Sequence, residues 1–500
     1  MNVGSTSVNR LTCFAGRSLS WMLGHTPQIG KCGPSSPFFI RSRVRRVIPT
    51  CLNYENMLRA WQSRAFKKTA PWRRFRIHAE LSFELPSQPV VPPIACQQPF
   101  NGSSLSWAPG KLVPIHRRSV ALKRISQLDG IRGLAIAAVL FAHLGALMGV
   151  GIGRNLVVIA LYRFMHVGWL GVDIFFVLSG FLITGIILKD RVRPDFWGTF
   201  YLRRAFRILP AFTVVFVLTL LAAHFFAPEI HVSSAYIIPA LFFMANWTIV
   251  NMGEMPMLGH LWSLAVEEQF YFLWPQAAKR LRAETLLKLA LTLAVTSELA
   301  RLVLALLHVN PYIVYKITPT RIDGLAVGAA LAISITLPRV HTLLTRWWRT
   351  TAVVAVALLP LAFAAMHGSL FVFNVWSQVL AIPPAIVLTA MLIFGATESS
   401  LPSVVARFFD NPVMTYLGRR SYALYLIHEP IGVAVQRSRA NGYLAQLPQG
   451  VFVNLVLIFS GLAISLVLTE ASWRLIESPA QSLRHLWMRK TLHAKVAAQS

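Results

Sequence analysis

The hydrophobic and polar positions of the chain change character near residue 122. From about residue 128 onward, apolar runs of roughly 17 to 25 residues alternate with short polar segments, and an α-helix of that length can cross a bilayer. No region shows the alternation of a transmembrane β-strand. The pattern predicts an all-α fold, a polytopic transmembrane helical bundle. The predicted spans are 131–150, 169–188, 208–227, 259–277, 285–307, 322–337, 351–366, 376–396, 416–434 and 451–470.

Basic residues in the short loops predict the orientation of this bundle. Lysine and arginine concentrate in the loop 189–207, and basic loops of this length stay on the cytoplasmic side. The basic residues near 279–282 and in 338–350 agree if 234–250 is a re-entrant or interfacial piece. The prediction is therefore about ten spans with both termini in the cytoplasm, and eleven spans is the alternative.

Residues 1–122 have a different composition. The chain of 500 residues has a net charge of +29, and residues 1–126 contain 19 Lys and Arg against 3 Asp and Glu. This segment is rich in Arg, Ser and Pro and has no secretory signal pattern. We expect a basic, disordered N-terminal extension or an upstream start codon chosen in error, with an Arg-rich targeting peptide as the alternative.

The positions of the basic residues and of the cysteines along the chain exclude some classes of function. Because the rest of the positive charge sits mostly in short loops, it indicates membrane orientation and not a nucleic-acid partner. All four cysteines also lie in the extension, so we expect no disulfide, thiol nucleophile or Cys-based metal site in the membrane region. The predicted organisation is an extension at 1–122, a transmembrane domain at 123–486 and a cytoplasmic tail at 487–500.

The first predicted span carries two polar residues that need an explanation. Arg132 and His143 are eleven positions apart, which on an α-helix is about 16 Å of rise and a return to nearly the same face. An interfacial anchor and a hydrogen-bonded packing residue are the plainer interpretation. Polar groups at this depth are costly enough to suggest function, and an imidazole is suited to moving a proton near neutral pH.

Further polar residues mark other predicted spans. Two adjacent carboxylates interrupt the aromatic segment "GHLWSLAVEEQFYFLWP", the first of them four residues after a serine, and at least one should face a polar cavity. A tilted segment with both glutamates near the lipid headgroups is the alternative. "FYLRRAFRILP" places paired guanidiniums before the third span, which suits a phosphate-bearing ligand or ordinary positive-inside charge. His428 is predicted near the outer interface, on a helix that ends at Glu429-Pro430. The other polar candidates are Asp173, Arg321 and Asp323.

Seven stretches, taken in order, resemble the integral-membrane acyltransferase-3 family, whose members O-acylate cell-surface sugars and similar acceptors in bacteria. The resemblance runs from about Leu128 to Arg484. Its first element is "LDGIRG" with the spacing Arg132-x10-His143. The others are "GVDIFFVLSGFLI", "FYLRRAFRILP", "WSLAVEEQFYFLWP", "RIDGLAVG", "LGRRSYALYLIH" and "IESPAQSLR".

The resemblance also implies roles for individual residues. His143 would be the catalytic histidine, with Arg132 as its partner on the helix and with Glu267 and Glu268 in the acidic segment lining the site. An arginine cluster would hold acyl-CoA on the cytoplasmic side, and further polar residues would support the site. The cluster is Arg203, Arg204 and Arg207, and the supporting residues are Asp173, Ser263, Arg321 and Asp323. No metal and no permanently bound cofactor are expected.

The implied function is a membrane-bound acyltransferase of the bacterial inner membrane. It would move an acyl group, by default acetyl, from acyl-CoA to a hydroxyl of a cell-surface polysaccharide, a lipopolysaccharide or a related saccharide, including a lipid-linked one. We expect direct transfer by the membrane domain, without the SGNH-type domain fused to some members. The alternative is a proton-coupled secondary transporter, which predicts repeated halves that the sequence does not show.

Overall fold

The structure is a computed structural model, and it describes residues 125–145, 156–227, 230, 232–368, 370–441, 443–448 and 450–484. Within these residues every regular element is helical. The helices of the first half are α1 (Ser126–Gly145), α2 (Leu156–His166), α3 (Gly171–Asp190), α4 (Phe196–Phe226), α5 (Ser234–Leu241), α6 (Leu261–Arg280) and α7 (Ala283–Leu306). The others are α8 (Pro311–Lys316), α9 (Asp323–Ser334), α10 (Pro338–Ala365), α11 (Val375–Thr397), α12 (Ser403–Asp410), α13 (Pro412–Asn441) and α14 (Val451–Ser472).

The predicted all-α membrane fold is confirmed. Seven helical segments in the described part of the chain are long and apolar enough to cross a membrane, and each coincides with one of the ten predicted spans. The chain is therefore a multi-pass helical membrane protein. The predicted extension 1–122, the tail 487–500 and the last five residues of the span 131–150 lie outside the described residues.

The other three predicted spans are helical but differ from the apolar seven. Helices α6 and α13 have 20 and 30 residues but are interrupted by ionisable side chains. Helix α9 has only 12 residues and is buried along almost its whole length. At 1.5 Å per residue it extends about 18 Å, which is less than the roughly 30 Å of a hydrocarbon core. The prediction of a single crossing helix over 322–337 was therefore wrong.

Two further helix boundaries differ from the predictions. Helix α2 was not predicted, and α13 continues through Pro430 to Asn441. The predicted helix end at Glu429-Pro430 was wrong because a proline removes only one backbone donor, and neighbouring groups in a membrane bundle can satisfy the freed carbonyl. At the predicted re-entrant piece, α5 and the 3₁₀ turn Ala245–Val250 are each too short to cross a bilayer.

Small residues bring the central helices into backbone contact. A Cβ atom on Gly180 of α3 would meet the carbonyl oxygen of Leu325 in α9, and one on Gly328 of α9 would meet the carbonyl oxygen of Val177. Small residues of this kind are typical of helix contacts in membrane proteins, because they let two backbones approach closely. This contact explains why the short helix α9 is held firmly against α3.

Glycines also bring α1 and α13 into backbone contact, and these two helices carry His143 and His428. A Cβ atom on Gly133 of α1 would meet the carbonyl oxygen of Met414, and one on Gly418 of α13 would meet the carbonyl oxygen of Asp129. The motifs "DGIRG" and "YLGRR" are therefore the two faces of one helix contact. This contact sets the register between α1 and α13.

Replacing Gly180 by alanine should destabilise the protein, because the added methyl group overlaps the Leu325 carbonyl oxygen and α3 must move away from α9. Overpacking of this kind typically costs about 1–3 kcal/mol. We expect a lower thermal unfolding midpoint for the detergent-solubilised protein. Gly185→Ala on the same helix is the matched control, because a Cβ there meets nothing within 4 Å. Equal midpoints for the two variants would contradict this account of the packing.

Candidate active site

A polar cavity lies among α1, α3, α4, α6 and α13. It has a volume of about 110 Å³. Its polar and charged lining residues are Arg132, Ser179, Arg204, Arg207, Ser263, Glu267, Glu268, Tyr271, Ser421, Tyr422 and Tyr425. Apolar side chains of α3, among them Phe175 and Phe176, form most of the remaining wall, together with Ile208 and Leu264.

A second cavity of about 160 Å³ continues from the first toward the loop between α3 and α4. The two share Ile186, Arg204 and Arg207 as lining residues. The basic and acidic residues lining the second cavity are Asp190, Arg193, Arg203, Arg204, Arg207 and Arg484. The predicted arginine cluster therefore lies along one path that leads from the basic loop into the helix bundle.

The arginines of this path differ in their partners. Arg203 is paired with Asp190 at 3.1 Å, and Arg193 with Asp195 at 3.1 Å. Arg204 stacks over the Tyr271 ring, with its guanidinium carbon 3.2 Å from the ring centroid. Neither Arg204 nor Arg207 has a carboxylate within ion-pair distance among the described residues. These two guanidiniums, which the sequence singled out, therefore keep their charge available to an anionic ligand.

Asp195, in the loop before α4, shows how Arg193 is compensated. Its carboxylate accepts hydrogen bonds from the Arg193 guanidinium and from the Thr199 hydroxyl. These contacts, Arg193 first, lower the pKa of the Asp195 carboxyl to about 2. The carboxylate therefore stays ionised near neutral pH and neutralises Arg193.

The two adjacent glutamates of α6 both line the cavity, but they differ in their contacts. Glu267 accepts hydrogen bonds from the hydroxyls of Ser179 and Tyr271. The Glu268 Oε1 atom is buried and has no hydrogen-bond partner in the described part of the chain. The prediction that at least one of these carboxylates faces a polar cavity agrees with this structure.

The inner end of the cavity is formed by a hydroxyl pair. Ser263 Oγ and the Tyr425 hydroxyl lie 2.5 Å apart, and the Tyr425 hydroxyl donates to the backbone carbonyl of His260 at 3.2 Å. Tyr425 also contacts the His428 ring, with the centroids 5.4 Å apart. Ser263, which the resemblance places at the site, thus lies at the boundary between the cavity and a group of histidines.

Three histidines and one glutamate meet beyond this boundary. The His143 Nε2 atom lies 3.3 Å from Glu429 Oε2, and the His260 Nδ1 atom lies 3.5 Å from the same oxygen. The His143 and His428 rings meet edge to face at 4.9 Å. His428 and His260 are buried, whereas the His143 side chain is 38% exposed. We call His143, His260, His428 and Glu429 the histidine cluster.

The structure separates two residues that the sequence placed on one stripe. Arg132 lines the cavity and lies 3.5 Å from Asp129. His143 is not among the residues that line the cavity, and it contacts the histidine cluster instead. The rings of Tyr425 and His428 connect the inner end of the cavity to His143.

The three remaining predicted support residues form a buried ionic network beside the cavity. Asp173 and Arg321 are paired at 2.8 Å, and both side chains are 0% exposed. Asp323 pairs with Arg301. None of the four charged residues of this network lines the cavity. Val172 and Phe176, which lie on the same helix as Asp173, do line it. The network therefore fixes α3 against α7 and α9.

The histidine cluster contains residues that were not chosen from the sequence. His260 lies in the segment "GHLWSLAVEEQFYFLWP", where only the serine and the carboxylates were candidates, and Glu429 was predicted only as a helix end. His428 was predicted near the outer interface, where it would need little explanation, but it is fully buried against His143. The sequence feature that could have indicated this cluster is the adjacent pair His428-Glu429, on a helix that otherwise faces the bundle. Its proximity to His143 could not be predicted because the pair lies nearly 300 positions away in the chain.

These observations define an integral-membrane helical protein with a charged path from a basic loop to a group of histidines. The chain belongs to the acyltransferase 3 family, since the model of this family's acyltransferase domain matches residues 125–470. The match ends inside α14 and begins at the first described residue.

Individual relatives agree with this assignment. The peptidoglycan O-acetyltransferase OatA of Listeria monocytogenes is 29% identical over 325 residues, which cover 62% of this chain and 49% of the relative. The O-acetyltransferase OatA of Staphylococcus aureus is 28% identical over 372 residues, which cover 70% of this chain and 56% of the relative. The putative peptidoglycan O-acetyltransferase YrhL of Bacillus subtilis is 28% identical over 402 residues, covering 74% and 57%. The chain thus spans about half the length of these relatives, and no solved structure matches it.

Proposed function

We propose that this chain is a membrane O-acetyltransferase that moves an acetyl group from acyl-CoA to a hydroxyl of a cell-surface glycan. The observation that carries the proposal is the path lined by Arg204 and Arg207, which leads through the polar cavity to Ser263 and Tyr425 beside the histidine cluster. The family and the O-acetyltransferase relatives support the reaction class.

Acyl-CoA is the proposed donor because its phosphates match the outer part of the path. Guanidinium groups bind phosphate through charge-assisted, often bidentate hydrogen bonds. Arg204 and Arg207 lack carboxylate partners within ion-pair distance in the described residues, so binding an anion there breaks no existing ion pair. The pantetheine arm would then extend through the cavity toward Tyr425.

Transfer itself is proposed at His143. A hydroxyl of the acceptor would reach this ring from its exposed side, and His143 would take the hydroxyl proton as the oxygen attacks the thioester carbonyl. The carbon–sulfur bond breaks as the new ester bond forms, and the imidazolium would return its proton to the departing CoA thiolate, which leaves as the thiol. Glu429, 3.3 Å away, would stabilise the imidazolium that forms. An acyl-histidine intermediate is the second route that the same geometry permits. Arg132, Glu267 and Glu268 would hold the donor in the cavity.

The acceptor is proposed to be a glycan of the cell envelope. The relatives named peptidoglycan O-acetyltransferases favour a cell-wall glycan, whereas lipopolysaccharide and lipid-linked saccharides are the other acceptors that the sequence suggested. The protein would work in the bacterial inner membrane, where cytoplasmic acyl-CoA and an external glycan are both within reach.

Replacing Arg207 by alanine should weaken binding of acetyl-CoA. Loss of one charge-assisted contact worth about 1.5–3 kcal/mol corresponds to a roughly 10- to 150-fold weaker affinity. The measurement is saturable binding of radiolabelled acetyl-CoA to the full-length protein in detergent. Arg280→Ala is the matched control, because Arg280 lies at the end of α6 and bonds only to Gln276 among the described residues.

The transporter alternative gives a different result in the same assay. A proton-coupled transporter that uses His143 and the two glutamates needs no nucleotide donor, so it predicts no saturable acetyl-CoA binding. Saturable binding that is lost in Arg207→Ala and retained in Arg280→Ala supports the acyltransferase. Absence of binding to the wild-type protein would overturn the proposed donor.

A further inference from the structure

The histidine cluster brings together side-chain atoms that can all donate an electron pair. One atom each from His143, His428 and Glu429 lie within 4.8 Å of one another. The Nε2 atom of His428 is buried without a hydrogen-bond partner in the described residues, and so is the Oε2 atom of Glu429. A buried polar atom without a partner costs about 1–3 kcal/mol, so two such atoms beside the His143 ring need an explanation.

Backbone contacts fix the tautomers of two of these rings. His143 Nδ1 lies 2.9 Å from the Val139 carbonyl oxygen, and His428 Nδ1 lies 2.7 Å from the Tyr425 carbonyl oxygen. Because a carbonyl oxygen can only accept, each Nδ1 must carry the proton and donate it. In the neutral rings both Nε2 atoms then present a lone pair, and the Nε2 of His143 faces Glu429.

Protonating one of these side chains does not give every buried atom of the cluster a hydrogen-bond partner. Protonating His143 would give Glu429 a donor, but the Nε2 atom of His428 would still be buried with no donor beside it. The neighbouring cation Lys316 is already paired with Glu254. A single bound cation in contact with both Nε2 atoms and the carboxylate oxygen satisfies all three at once.

We propose that His143, His428 and Glu429 form a binding site for a divalent transition-metal ion, for which zinc is the best match. Two imidazoles and one carboxylate are a ligand set that zinc uses in sites with an open position. The Nδ1–H groups that donate to backbone carbonyls are the outer contacts that normally orient metal-binding histidines.

The separations of Glu429 from His143 and from His260 fit this ion. With ligand atoms about 2.0–2.1 Å from a tetrahedral zinc, neighbouring ligand atoms lie roughly 3.3–3.4 Å apart. The Nε2 atom of His143 is 3.3 Å from the Glu429 oxygen, and His260 Nδ1 is 3.5 Å from it. Binding would draw His428 inward by a small side-chain movement. His260, buried with both ring nitrogens unpartnered in the described part of the chain, is placed to become a fourth ligand or to hydrogen-bond Glu429.

The metal site gives His143 a different role from the one proposed above. The exposed side of His143 leaves one coordination position open to an external ligand, and the acceptor hydroxyl oxygen is the ligand that the proposed function would bring there. His143 would then hold the ion instead of acting as the base. The site itself rests only on the geometry of the cluster and stands whether or not the chain transfers acetyl groups.

Metal content tests this proposal directly. The full-length protein is purified in detergent with a tag that contains no histidine, incubated with Zn²⁺, passed through a desalting column and analysed by mass spectrometry for metals. We expect about one zinc ion per chain that resists desalting. His428→Ala and Glu429→Gln should each lower the zinc content at least tenfold.

The control is a histidine–glutamate pair of similar geometry outside the cluster. His341 Nε2 lies 3.2 Å from Glu398 Oε1, with both side chains about one-third exposed. Among the described residues, this pair has no third histidine, cysteine or carboxylate converging with it as the histidine cluster does. His341→Ala should therefore keep the zinc content of the wild type. Equal loss in His341→Ala and His428→Ala would show that zinc binds unspecifically, and would overturn the site.

X-ray absorption of the zinc-loaded wild type keeps the test independent of whether a variant folds. We expect nitrogen or oxygen scatterers at about 2.0–2.1 Å with the outer-shell signal of imidazole. A wild-type protein that takes up no zinc, or a spectrum without imidazole, would refute the site. Acetyl-CoA binding is measured separately on the same preparations, so failure of the metal site and failure of the proposed function give different patterns.

Discussion

Replacing His143 by alanine should reduce acetyl transfer to the cell envelope by roughly 10²–10⁴-fold, the usual contribution of a positioned acid–base group. Transfer should also fall if His143 holds a zinc ion instead, because the variant then loses a metal ligand. The physical reason is the position of the ring, which is the exposed member of the histidine cluster and is held by Val139 and Glu429. The measurement is base-labile acetate released from the envelope glycans of cells that produce equal amounts of each protein. Mass spectrometry of the released glycan identifies the acetylated unit.

His166→Ala is the matched control for this prediction. His166 also sits on a membrane helix and also directs Nδ1 to a backbone carbonyl, that of Tyr162 at 3.0 Å. It contacts aromatic rings and not the Glu429 carboxylate. Transfer should therefore be nearly unchanged in His166→Ala. Wild-type acetate in cells carrying His143→Ala would exclude His143 from the reaction.

Removing the carboxylate of Asp173 should destabilise the fold by roughly 3–5 kcal/mol, the usual cost of leaving one member of a buried ion pair without its partner. Arg321 would remain fully buried against the rings of Phe176, Trp262 and Tyr315, with no carboxylate left within ion-pair distance among the described residues. We expect Asp173→Ala to give little folded protein in detergent and a much lower unfolding midpoint.

The double variant Asp173→Leu with Arg321→Met separates the charge effect from a packing effect. Replacing both charges by apolar groups of similar size is often neutral or stabilising, so the double variant should recover most of the midpoint. Glu398→Ala, which breaks the exposed pair with His341, should change the midpoint little. A double variant as unstable as Asp173→Ala would indicate that Asp173 has a role beyond pairing with Arg321.

Much of the fold could be predicted from the apolar pattern. A run of about 20 apolar residues can only satisfy its backbone in a bilayer as a helix, so seven spans were readable directly. Hydropathy fails where a helix is surrounded by protein instead of lipid. Helix α9 can be shorter than a membrane span because α3 and α7 pack against it. Helix α13 continues through Pro430 because a proline removes only one backbone donor.

Several residues of the candidate site could be predicted from the sequence, but their contacts with one another could not. The arginines, the two glutamates and His143 were recognisable because ionisable groups are costly in apolar segments and because their motifs resemble one family. Which of them share a cavity could not be predicted, since Ser179, Arg204 and Glu267 come from three helices distant in sequence. A one-dimensional pattern gives the face of each helix but not the neighbour that it meets.

The sequence by itself determined the helical membrane fold, the family and the basic face of the path, because these depend on composition and on local spacing. Only the tertiary structure decided that Arg132 and His143 serve different ends of the site and that Asp173 and Arg321 form a buried pair. It also decided that His260, His428 and Glu429 surround His143. The contact of Gly133 and Gly418 sets that arrangement, because the separation of two helices fixes which side chains can meet.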